Sequence, residues 1–258
     1  MLDFFANPAR FEALSRTLSP WLLASWAILF VIALPIALVF SPADYQQGDT
    51  VRLMYIHVPA AWMATIAYTF IAVMSVMAFI WRHPIADALA RAAAPVGLAM
   101  TGLALVSGAF WGKPTWGAWW VWDARLTSVL VLFFIYLAYL AIWDTISDPA
   151  RAAKFARVTA LLGFVNIPII KFSVDWWNSL HQPASLVRAG GPTIDGSMLT
   201  PLLMMIAGYT LFFAWAVCAG AEAQIIEARA RRRSARAPRR ILKVDGTART
   251  EQAEGEDG

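Results

Sequence analysis

Apolar and polar segments alternate along the chain six times. Apolar runs cover about residues 21–40, 58–81, 93–110, 126–143, 158–172 and 198–221. Most approach the ~20 residues that an α-helix needs to cross a bilayer's hydrocarbon core. The fifth is short and interrupted by Gly163, Asn166 and Pro168. A short amphipathic lead, 1–20, precedes the first run and carries Arg10 and Arg16. That run looks like a signal-peptide core but is long for one. No A-x-A-like cleavage site follows it, the next residues being Ser41-Pro42-Ala43-Asp44, so it reads as a retained anchor. From Glu222 the chain turns charged: seven arginines between 229 and 240 make a basic tail, and the small, acidic end 251–258 is expected to be disordered. The pattern predicts an all-α membrane protein. Its parts are a lead at 1–20, a bundle of six transmembrane helices within 21–225, and a basic, then acidic, disordered tail at 226–258.

Composition agrees. The 258 residues are 59% hydrophobic and 15% charged, with a mean hydropathy of +0.57, whereas soluble domains carry about 25% charged residues. The single cysteine, Cys218, lies in an apolar run. It cannot form an internal disulfide and reads as a small packing residue. Charge placement sets an orientation. The lead, the connections at 82–92 and 144–157, and the tail hold 16 of the 21 Lys and Arg; Arg52, Lys113, Arg125, Lys171 and Arg188 hold the rest. The positive-inside rule then predicts cytoplasmic termini and places the connections 41–57, 111–125 and 173–197 together on the outer face.

The middle one of these is unusual. Five tryptophans, Trp111, Trp116, Trp119, Trp120 and Trp122, fall within twelve residues and run into Asp123 and Arg125. Their spacing follows neither a helix face nor a strand face for long. Gly112, Pro114 and Gly117 argue against a continuous helix from Trp111 to Trp119, so the stretch reads as a shaped loop or a short helix within one. An interfacial aromatic belt accounts for Trp that sit singly at span ends, but not for seven confined to two outer loops. At roughly 150–250 Å² each, these rings must be covered by lipid, protein or a large flat ligand.

The chain has three histidines. His57, at the entrance to the second span, and His181, in the third outer loop, both fall on the predicted outer face. Each has a proline two residues later (Pro59 and Pro183), a placement that suits a residue just ahead of a helix start. A lone interfacial histidine is ordinarily a solvated or hydrogen-bonding residue. The combination with the aromatic loop points further, to haem. Haem iron takes axial imidazoles, indole rings can cover a porphyrin, and Arg52 and Arg125 could pair with its propionates. Asp123 could orient Arg125 or an indole N–H; interfacial charge and loop hydrogen bonding would equally account for these three residues.

The segment Trp116-Gly117-Ala118-Trp119-Trp120-Val121-Trp122-Asp123-Ala124-Arg125-Leu126-Thr127 resembles the tryptophan-rich WWD signature of the haem-handling protein family of cytochrome c maturation. Length, six spans and a single such loop, 111–127, resemble its C-subunit branch in the Ccm system (system I). The segments 54–62 and 176–182 resemble that branch's histidine contexts. The likeness covers about residues 20–225. It implies His57 and His181 as axial ligands of haem b, with Trp116, Trp119, Trp120, Trp122, Asp123, Arg125 and Arg52 as candidate contacts. It further implies a periplasmic loop on a bacterial inner-membrane protein, and haem delivery to a periplasmic haem chaperone. The expected partners are an ATP-binding-cassette transporter pair and a small membrane subunit, with no nucleic acid. No G-x-x-x-x-G-K-[ST] motif occurs, so any ATP is used by a partner. Transport or delivery is expected rather than classical enzymology. The alternatives are a lyase forming the haem–chaperone bond, a permease whose Trp loop is a lid, and an assembly subunit docking through that loop.

Overall fold

The computed structural model describes residues 7–182, 185–188 and 190–236. They form helices and no strand; Asp44 and Gly48 make one isolated bridge. The helices are α1 (Pro8–Pro35), α2 (Met54–Ile80), α3 (Ala86–Trp116), α4 (Ala124–Thr145), α5 (Pro149–Phe164), α6 (Asn166–Trp176) and α7 (Gly196–Arg236). A π-helical turn, Ile36–Phe40, extends α1, and a 3-10 turn, Asp49–Leu53, leads into α2. Six segments are long and apolar enough to cross a membrane, with α5 and α6 together making the fifth. The chain divides into two units, the first ending at Ile225 and the second starting at Ile226.

Local chemistry explains most boundaries. Asn7 caps α1, its side chain accepting from Ala9 N at 2.9 Å with Pro8 following. Asp148, followed by Pro149, caps α5 in the same way. Asp123 caps α4, accepting from Leu126 N at 2.7 Å. Gly117, at φ 76°, ends α3 in the left-handed conformation that favours glycine.

Three boundaries differ from expectation. The first helix starts at Pro8, ahead of the apolar run, and passes through Pro20 unbroken. The Trp-rich stretch is helical as far as Trp116, which leaves only residues 117–123 as loop. Gly112 lets the Trp116 ring fold back over it: a Cβ there would stand 3.0 Å from that ring. In the second unit, residues 226–236 are helical rather than disordered, a stretch of helix formers in which Glu227 and Arg231 pair at i,i+4. The expected disorder of 237–258 lies outside the described residues.

In the first unit α2 and α3 pack along their length, with α4 and α5 against them. Two tyrosines lock this centre. Tyr136 of α4 crosses α3 at Gly97 and donates to Ala64 O of α2 at 2.7 Å. Tyr68 of α2 lies against Gly163 of α5 and donates to Thr159 O at 3.1 Å. The two rings meet edge to face at 5.1 Å. Up to Ile225, α7 takes α1 through Trp26–Phe212 and Phe30–Tyr209 contacts and the Arg16–Glu222 ion pair. Many large apolar side chains on α1 and its π-helical extension face outward, Val31 being 73% exposed and Phe40 76%. That suits a lipid-facing surface.

Candidate functional site

The connections 41–53 and 117–123 and the described residues of 177–195 meet at one end of the bundle. In the first, Asp44 accepts from the backbone N–H of Gln46 and Gln47, and Gly48 adopts φ 58°. The turn presents Gln47, whose Oε1 accepts the Trp111 indole N–H at 2.7 Å. In the second and third, Asp123 and Ser179 join the two loops.

The two histidines come together here. Their ring centres stand 6.4 Å apart, the planes inclined by 37°. His57 lies inside the first turn of α2 rather than ahead of it, because the chain is already coiled from Asp49. Its Nδ1 is 3.0 Å from Ala104 O and 3.3 Å from Ser107 Oγ, both on α3. Trp111 stands edge-on to the ring at 5.7 Å. His181 lies in the third loop, and the proline that follows it, Pro183, is outside the described residues. Trp116 stands 6.3 Å from the His181 ring.

His181 Nδ1 faces two incompatible partners. Gln182 O, at 2.9 Å, can only accept a proton from it; Arg125 Nη1, at 3.1 Å, can only donate one. One proton position satisfies one of them. The Nδ1–H form pairs with the closer carbonyl and leaves Nε2 with a free lone pair. Burial holds the His181 pKa below its ordinary value; Arg125 acts in the same direction, against the Gln182 carbonyl and Asp123. The shift favours the neutral ring.

The remaining candidates divide. Arg125 sits at the junction: it donates to Ser173 Oγ at 3.2 Å and to the carbonyls of Lys171 and Gln182, and its Nη1 stands 3.1 Å from His181 Nδ1. Of the two roles open to Asp123, it takes loop hydrogen bonding rather than a hydrogen bond to Arg125 or an indole. One of its oxygens caps α4 and the other accepts from Ser179 Oγ at 2.6 Å. Arg52 turns its guanidinium to Leu38 O, Ser41 O and Asp49, where it closes the end of the first span. Trp120 and Trp122 contact each other edge to face, and Trp119 packs on Phe110. Trp122 is 75% exposed. Trp120 Nε1 is buried with no hydrogen-bond partner among the described residues.

Ser179, His181 and Asp123 meet without forming a catalytic triad. The serine gives its proton to the carboxylate, and the histidine contributes its backbone N–H, at 3.1 Å, rather than its ring. Trp111, Ser107 and Gly108 beside His57 were missed as site residues. A signal existed in the run Gly97, Thr101, Ala104, Gly108, Gly112 on α3, small residues at helical spacing that permit close approach.

Fold and site together define an all-α, multi-pass membrane protein with a histidine pair beside Trp111 and Trp116 at the end of α3. The chain belongs to the CcmC family, heme exporter protein C, whose family model matches residues 1–236. It is similar to the heme exporter protein C of Bradyrhizobium diazoefficiens, at 50% identity over 88% of this chain and 86% of that one. It is 39% identical to that of Haemophilus influenzae, over 93% and 97%, and 41% identical to that of Escherichia coli K12, over 83% and 86%.

Proposed function

We propose that this protein binds haem between His57 and His181 and delivers it for c-type cytochrome biogenesis. Haem is cargo here. The observation that carries the reading is the 6.4 Å separation of the two rings. Two imidazoles sharing one metal ion through nitrogen bonds of about 2.0–2.1 Å each stand with their centres about 6 Å apart. The donor set fits as well. A neutral His181 with its proton on Nδ1 offers a lone pair at Nε2, and His57 is held through its own Nδ1. Trp111 and Trp116 flank the pair with flat apolar surface. Arg125 supplies a cation for a propionate, and the buried Trp120 indole N–H has no partner among the described residues. Trp119 and Trp122, exposed on the loop, suit contact with haem or with its recipient.

On this reading the site faces the periplasm from a bacterial inner membrane, both termini are cytoplasmic, and haem b passes to a periplasmic chaperone. An ATP-binding-cassette pair and a small membrane subunit act beside it. Residues 1–20 and 226–258 then flank a haem-handling unit of six spans. Ser179 is not set up as a histidine-activated nucleophile, since it donates to Asp123 and receives the His181 backbone N–H.

The test is an optical spectrum of the purified protein beside the His57→Ala/His181→Ala double variant. A six-coordinate, low-spin haem in the parent, lost in the variant, is expected. Equal haem content in both overturns the assignment of ligands.

A further inference from the structure

On the reading that His57 ligates haem, we infer that the α3 surface formed by Ala104, Ser107 and Gly108 is a positioning seat for this histidine. It selects the ring's proton position and sets how close the ring stands to the helix.

The selection follows from hydrogen-bond roles. Ala104 O, 3.0 Å from Nδ1, is a pure acceptor. The Ser107 hydroxyl is directed to Leu103 O at 2.6 Å, so its oxygen presents a lone pair to Nδ1 at 3.3 Å. Two acceptors face one ring nitrogen, and only Nδ1–H satisfies them. Nε2 is left unprotonated, the form a metal requires. Metal-bound histidines commonly donate their second N–H to a carbonyl in this way. Here a helix that contributes no ligand of its own supplies that carbonyl.

The close approach follows from Gly108. A helical carbonyl already accepts the N–H four residues on, so Ala104 O can serve His57 only through its second lone pair. The side chain at position 108 would stand over that opening. A Cβ there would lie 2.8 Å from His57 Cε1 and 3.2 Å from Nδ1. Glycine leaves the carbonyl reachable. Trp111, one turn further on, closes the ring's edge and is itself held by Gln47.

The experiment uses the small number of histidines. The full-length protein, labelled with ¹⁵N-histidine and purified without haem in detergent, gives three pairs of ring nitrogen signals to assign with His57→Ala. His57 is expected as the Nδ1–H tautomer. Gly108→Ala should abolish that preference and weaken haem binding by about 10–100-fold, the usual range for losing such a support. Gly102→Ala is the folding control: a Cβ there meets only Phe133, at 3.4 Å. It should leave tautomer and affinity unchanged. Ser107→Ala should keep the tautomer, through Ala104 O, and change the spectrum of the bound haem. An Nε2–H tautomer in the parent protein, or an unchanged tautomer and affinity in Gly108→Ala, overturns the seat and leaves the ligation reading intact. Full haem retention in His57→Ala overturns the ligation reading and leaves the tautomer result standing.

Discussion

Asp123 carries two duties through its two oxygens. One ends α4 and the other reaches Ser179, whose oxygen in turn receives the His181 N–H. Losing the cap costs about 0.5–2 kcal/mol, and losing the latch frees the loop that presents His181. Asp123→Ala should therefore lower both the unfolding midpoint and haem affinity. Ser179→Ala should lower haem affinity with a much smaller change in stability, because the cap survives. Haem titration together with thermal unfolding in detergent separates the two. Equal affinity for the parent and Ser179→Ala would remove the latch. Asp123 was legible as a candidate at the end of the aromatic stretch, though not as the cap of α4. Its second partner was not, since Ser179 is 56 residues away and nothing local links them. Arg52 shows the reverse: its charge suggested a ligand contact, and folding turned it onto Leu38 O and Ser41 O.

At the level of helices, stability rests on tyrosines that cross glycines. Between apolar helices in lipid the hydrophobic effect offers little, so close backbone approach and interhelical hydrogen bonds carry the association. Gly97 and Gly163 leave room for Tyr136 and Tyr68 to reach carbonyls on neighbouring helices. Gly97→Ala or Gly163→Ala would put a methyl group into the space of a buried phenol. Each should cost about 1–3 kcal/mol and lower the midpoint of unfolding in detergent, and Gly102→Ala should not. Parent-like midpoints for both would show that the phenols can move aside. The six spans were readable because lipid demands long apolar helices and pattern reports them directly. The reach of α3 to Trp116 was not. Gly112 and Pro114 are breakers by local propensity, and the helix persists where Gly112 takes the Trp116 ring and Gly117 supplies the stop.

For the whole molecule, three connections far apart in sequence close one end of the bundle. The opposite end carries the Asp87–Arg157 pair and Arg91 stacked over Trp143 at 5.1 Å. On the proposed orientation, a Cys218→Ala background carrying Tyr45→Cys reacts with a membrane-impermeant thiol reagent in intact spheroplasts. The same background carrying Ser147→Cys reacts only after permeabilisation. Tyr45 is 91% exposed and Ser147 is also exposed, so access rather than burial decides the outcome. The opposite pattern would turn the histidine pair to the cytoplasm.

Hydropathy, arginine placement and one dense aromatic segment were enough to define six spans, a shared loop face and two candidate ligands, because each is a property of composition along the chain. Which groups meet is not such a property. The 6.4 Å between His57 and His181, the two acceptors that face the His57 ring, and the diversion of Asp123 and Arg52 to structural partners arise from helix packing. Contacts between residues tens of positions apart depend on how small side chains let helices approach, and that is settled only when all the helices are in place.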